Sequence, residues 1–214
     1  MEHNISQGKE IRTLVQPHIH NEFPSQSIDR KPKQEMTKPD AGLLESMVEH
    51  HVKPFHQNSK KDVMIIYDLS QEVYYRHNGK NPELAKLAAS LFLFFSDYGF
   101  YLNIEALRLI PVVQDLIEKA KQSQPDNLSP GQQIKGLRHK IQREHYSAID
   151  KLKYFRILTE DYRMPAGACK SYKRFFDKLK KFENDLVLYI HFENNRFFPL
   201  AIEVENYLNT KKLY

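Results

Sequence analysis

Two stretches of this chain repeat each other without a gap, residues 101–111 (YLNIEALRLIP) and 189–199 (YIHFENNRFFP). Each opens on a tyrosine (Tyr101, Tyr189), with a glutamate four residues on (Glu105, Glu193), an arginine three after that, and a proline six after the glutamate. A histidine precedes each tyrosine, His56 by 45 residues and His145 by 44. A duplicated unit of His, a long spacer and Tyr-x-x-x-Glu is the natural reading. Tyrosine and glutamate at that spacing share one face of a helix. If all six side chains converge in an apolar interior, two carboxylates, two imidazoles and two phenols need compensation there. An unpaired buried carboxylate costs several kcal/mol or takes up a proton. A cation would satisfy both glutamates and both histidines, and bundle cores are a known setting for such dinuclear carboxylate and histidine sites. A closed network with the tyrosine hydroxyls donating to Glu and His is the competing arrangement.

Four apolar stripes at steps of three and four residues position these side chains. The first runs Val52, His56, Ser59, Val63, Ile66, Ser70, Val73, His77; the second Leu84, Leu87, Leu91, Phe94, Tyr98, Tyr101, Glu105, Leu109, Val112. The third runs Ile134, Leu137, Ile141, His145, Ala148, Leu152, Phe155; the fourth Tyr172, Phe175, Leu179, Phe182, Leu186, Tyr189, Glu193, Phe197. Turn chemistry separates them at 78–82 (NGKNP), 122–131 (QSQPDNLSPG) and 163–167 (RMPAG). Ser129 and Pro130 suit the cap and first position of the third helix. Strand alternation is sustained nowhere, so the spacing predicts an all-α, up-down-up-down four-helix bundle over 41–214. In an antiparallel hairpin, residues equidistant from the loop lie side by side. A turn near residue 80 sets His56 level with 101–105, and one near 167 sets His145 level with Tyr189.

Residues 1–40 lack this pattern and read as a flexible N-terminal tail, followed by a short helix at 41–51 that ends before Pro54. The chain has 214 residues, net charge +5, 41% apolar and 28% charged residues, which suffices for one packed domain. No run of about 18 uncharged apolar residues predicts a spanning helix, and the N-terminus has no secretory pattern. A single cysteine, Cys169, excludes an intramolecular disulfide or a Cys-based cluster within one chain. A soluble cytoplasmic protein, with no membrane partner, is the simplest expectation. Residues 135–181 carry fourteen Lys or Arg against five Asp or Glu. That basic face could take an acidic protein partner, and without a nucleic-acid motif it argues little for nucleic acid. His77 reads as a helix-end residue, His191 as a surface or supporting residue, Glu144 as a supporting or solvated one, and Cys169 as a small packing residue. His18 and His20, in the tail, carry little weight.

The pairing of Glu144 with His145, the segment 159–172 (TEDYRMPAGACKSY), the segment 190–199 (IHFENNRFFP), the turn 76–84 (RHNGKNPEL) and the ending 105–111 (EALRLIP) together carry a family likeness. Over about 43–205 the sequence resembles the hemerythrin-like (HHE cation-binding) di-iron proteins, specifically the repair-of-iron-centres family. The resemblance implies a four-helix bundle holding two non-haem irons. The terminal ligands would be His56 and His145 and the bridging carboxylates Glu105 and Glu193. Where the family has two further histidines this chain has Tyr101 and Tyr189, and a phenolate, as a hard anionic donor, favours ferric iron. Many members also carry a small N-terminal domain with a cysteine pair; this chain has no such cysteines, so the resemblance does not carry over any thiol-dependent part of their activity. The expectation is a metal-binding protein of iron handling or oxidative and nitrosative stress, with a diatomic ligand (O2 or NO) in view, rather than an enzyme that turns over an organic substrate. The alternative is a metal-free or metal-sensing helical interaction module that has lost redox chemistry through the two tyrosines.

Overall fold

The computed structural model describes residues 38–122 and 133–210; the tail expectation, the His18/His20 pair and the Ser129–Pro130 cap lie outside them. Among the described residues there are only helices and turns, arranged as four rods that run up, down, up and down. The first rod comprises α1 (Ala41–Met47), a π-helical segment (Val48–Val52) and α2 (Lys53–His77). The second comprises α3 (Glu83–Ile104), a π segment (Glu105–Leu109) and α4 (Ile110–Gln122). The third is α5 (Gln133–Leu158). The fourth comprises α6 (Lys170–Phe192), a π segment (Glu193–Phe197) and α7 (Phe198–Thr210).

The three π segments have a common cause. Each begins six residues before a proline: Pro54, Pro111 and Pro199. A proline inside a helix has no N–H to give and its ring strikes the carbonyl four residues back. Widening the preceding turn relieves that clash, and the residue before each proline donates five residues back: Lys53 to Val48, Ile110 to Glu105, Phe198 to Glu193. The first rod therefore passes through Pro54 instead of breaking at 51, which corrects the expected short helix. The inserted residue also shifts the second stripe: beyond Leu109 the next fully buried position is Val113, not Val112.

Upstream of that shift the stripes face the core as their spacing requires, with Leu87, Leu91, Phe94, Phe155, Phe175, Phe182 and Leu186 almost fully buried. The second rod, 83–122, is long and apolar enough by length and composition to cross a membrane, a stretch the sequence reading did not find. Within this fold it is a bundle helix packed on α2 and α5. Beyond the level of the two glutamates, α4 and α7 pack on each other and on α1, closing that end of the bundle. At α5, Glu205 Oε1 on α7 accepts from the backbone N–H groups of Gln133 and Ile134 at 3.2 and 3.3 Å, satisfying two of the donors that open this helix. At the opposite end, Glu160, Asp161 and Tyr162 all hold positive φ, 47°, 62° and 60°. Glu183 anchors this turn, accepting from Tyr162 Oη and Arg156 Nε at 2.6 Å each.

Candidate metal centre

All six residues singled out by the repeat meet in the interior, Glu105 and Glu193 with no exposed surface and His56, Tyr101, His145 and Tyr189 buried. They form two triads related by the chain's duplication. In one, Glu105 Oε2 lies 2.6 Å from His56 Nε2 and accepts from Tyr189 Oη at 3.0 Å. In the other, Glu193 Oε2 lies 3.0 Å from His145 Nε2 and accepts from Tyr101 Oη at 3.2 Å. Tyr101 Oη is also 3.0 Å from His145 Nε2, and Tyr189 Oη 3.5 Å from His56 Nε2. Histidine and glutamate of each triad come from one hairpin, while the tyrosine crosses from the other. Both glutamates open their π segments, so the repeat's proline shapes the turn that begins at each carboxylate.

Each carboxylate is engaged on one oxygen only. Glu105 Oε1 and Glu193 Oε1 are buried without a hydrogen-bond partner, as are His145 Nδ1 and Tyr98 Oη. Buried polar atoms are nearly always satisfied, so the two bare carboxylate oxygens call for an occupant. Ligand atoms of Glu105, His145 and Glu193 all lie within 4.8 Å of one another, a spacing that suits one cation among them. Carboxylate, imidazole and phenol donors suit iron, so this donor set fits the metal that the resemblance implies.

Burial dominates the electrostatics. It pushes the Glu105 carboxyl up to about 7, helped by the charge of Glu193 and opposed by the His56 hydrogen bond. It pushes Glu193 up to about 8, against the hydrogen bond from Tyr101. His145 is driven down to about 4 by burial, with the charges of Glu105 and Glu144 pulling it back. Burial and both carboxylates hold the phenols of Tyr101 and Tyr189 well above 10, so with no cation present they stay neutral donors. The carboxylates titrate as a coupled pair. A cation would relieve them by supplying the missing positive charge.

The other marked residues fall elsewhere. His77 ends α2 far from the centre, with Nε2 3.1 Å from Cys169 Sγ. Cys169 packs against the core as expected, half-buried ahead of α6, and in addition its thiol is lowered to about 7, first by the His77 hydrogen bond. His191 is exposed and contacts Asn195. Glu144 is half-buried and reaches His145 only through its charge. Sequence reasoning missed Phe55, whose ring stacks on Tyr189 at 3.7 Å and 5°, and the unpartnered hydroxyl of Tyr98. Tyr98 was in plain view on the second stripe, one turn before Tyr101.

No family profile matches the chain. It is similar to the iron-sulfur cluster repair protein YtfE of Musicola paradisiaca, 27% identical over 165 residues that cover 77% of this chain and 68% of the relative. The YtfE protein of Dickeya chrysanthemi is 25% identical over 178 residues, 83% of this chain and 74% of that one. The one from Yersinia pseudotuberculosis is 23% identical over 163 residues, 76% and 67% of the two chains.

Proposed function

We propose that this bundle holds two non-haem iron ions and serves iron handling under oxidative or nitrosative stress, in the manner of iron-centre repair. The observation that carries the reading is the pair of bare, buried carboxylate oxygens, Glu105 Oε1 and Glu193 Oε1, on side chains whose other oxygens face two histidines. A carboxylate held on one oxygen and free on the other is suited to bridging two ions. His56 and His145 would be terminal ligands, and Tyr101 and Tyr189 would ligate as phenolates or brace the carboxylates as neutral donors. The similarity to iron-sulfur cluster repair proteins supports the iron assignment. When bound, iron would supply redox and diatomic-ligand chemistry for O2 or NO. The chain's own part is to keep the centre dry, fix both carboxylates and set the charge around them.

A second reading, a metal-free or metal-sensing interaction module, is favoured by one observation. Both phenols already donate to the glutamates, which partly satisfies the cluster without a cation. On either reading, the basic residues of 135–181 offer a surface for an acidic protein partner. Metal analysis of protein expressed in iron-replete medium separates the readings. About two irons per chain are expected, with most lost in Glu105→Ala or Glu193→Ala. Full retention in the double variant would refute the site.

A further inference from the structure

The two triads are near-copies, but their surroundings differ. The residue before His56 is Phe55, whereas the residue before His145 is Glu144. Beside the first triad lies a cavity of about 370 Å³ between the first and fourth rods, whose lining includes Asn58, Ser59, Asp62, Asp185 and Tyr189. Tyr189 contributes to its wall, and the same side chain donates to Glu105 and sits 3.5 Å from His56. Phe55, stacked face to face on the Tyr189 ring, also lines it.

We propose that this cavity is the route by which a ferrous ion reaches and leaves the centre, through the His56–Glu105–Tyr189 triad, with the Phe55–Tyr189 stack as its inner gate. The proposal rests on the metal reading above and adds to it an order: one half of the centre loads first. The centre is sealed from solvent, so an ion needs a path that exchanges its water shell stepwise for protein donors. The cavity supplies them. His50 and His51 lie exposed on the π segment of the first rod, and Asp62 and Asp185 offer carboxylates further along. Ser59, almost fully buried, adds a hydroxyl. Asp62 is paired with Lys178 at 2.6 Å and Asp185 with Lys181. Such pairs at a protein surface contribute little, so a divalent ion can displace the lysines.

Asn58 and Leu188 sit exposed on opposite walls, one on α2 and one on α6. Asn58→Trp and Leu188→Trp would therefore narrow the cavity without entering the core. The chain has no tryptophan, so each variant also carries a unique fluorophore that bound iron can quench. Iron-free full-length protein is mixed anaerobically with ferrous iron, and loss to a coloured ferrous chelator is followed from the loaded form. Both variants should take up and release iron about tenfold more slowly, equivalent to about 1.4 kcal/mol of added barrier, with unchanged final iron per chain. Phe55→Ala should do the reverse and speed both steps. Rates equal to wild type in both tryptophan variants, with wild-type iron content, would overturn the route and leave the metal reading standing. Slowing that appears only together with loss of bound iron in both variants would also count against the route. A wild-type protein that takes up no iron at equilibrium would overturn both.

Discussion

Metal-free protein should lose stability as pH rises from about 6.5 to 8, an unusual direction for a protein rich in exposed charge. Glu105 and Glu193 are raised from 4.5 to about 7 and about 8. A carboxyl raised in the folded state holds its proton there after the unfolded chain has released it. Its contribution is fully present below the unfolded value and is lost as pH rises through the folded one. His145, lowered from 6.5 to about 4, works the other way: its contribution is present above 6.5 and is lost as pH falls toward 4. Between 4.5 and 6.5 the two effects oppose each other. Above 6.5 the histidine approaches neutrality in both states, and in a Cys169→Ser background, which removes the thiol lowered to about 7 and its opposing trend, the carboxylates dominate the titration. Integrating the two carboxyls from pH 6.5 to 8 gives a loss on the order of 2 kcal/mol. For a chain of this size that corresponds to a melting temperature lower by about 4–8 °C. Thermal unfolding of the Cys169→Ser protein in chelator-treated buffer, followed by circular dichroism, measures it, with Glu105→Gln/Glu193→Gln in the same background as the control that should flatten the slope. A melting temperature that holds or climbs from pH 6.5 to 8, or an equal fall in the double Gln variant, would refute the reasoning.

If Tyr101 and Tyr189 bind ferric iron as phenolates, the isolated protein should show a broad visible charge-transfer band. Tyr101→Phe/Tyr189→Phe should bleach it, while a colourless protein with stoichiometric ferric iron would reject phenolate ligation and keep the His/Glu site. Iron should raise the melting temperature with free metal concentration, stabilising the fold by about 2.7 kcal/mol at one hundred times its dissociation constant; identical melts with and without iron would favour the metal-free network. Cys169, with its thiol near 7, should alkylate with a midpoint near that pH, and His77→Ala should move the midpoint upward, since the His77 hydrogen bond is the largest influence on it. Phe155→Ala, which empties a fully buried position against Phe94, should cost about 3–5 kcal/mol in chemical denaturation.

The bundle was legible because its stripes keep helical spacing through long segments, and polar residues on those stripes marked where the interior is not apolar. His56, Glu105, His145 and Glu193 stood out for that reason, and the hairpin arithmetic placed each histidine at the level of its own hairpin's repeat. The crossing of the tyrosines was not legible: one-dimensional spacing says which residues share a level, not which hairpin's hydroxyl reaches which carboxylate. The prolines were seen as part of the repeat but not as the origin of the π segments, because periodicity counting assumes a uniform turn. Pro54 misled in the same way, reading as a stop where the helix widens and continues. The contact of Cys169 with His77 joins residues 92 apart in sequence, and no local pattern announces it.

The crossing tyrosines also bear on how such a chain could arise. Each hairpin supplies a histidine and a glutamate to its own triad, but the third member always comes from the other hairpin. A single hairpin ending near residue 122 would hold an incomplete triad, and a second copy related by a two-fold axis would complete both at once. Fusion of two such copies would remove the need to find a partner and free each half to diverge. Phe55 opposite Glu144 is one place where the halves have diverged. Present-day symmetry at the carboxylates, beside asymmetry at their neighbours, is the pattern expected of a once-dimeric centre now carried by one polypeptide.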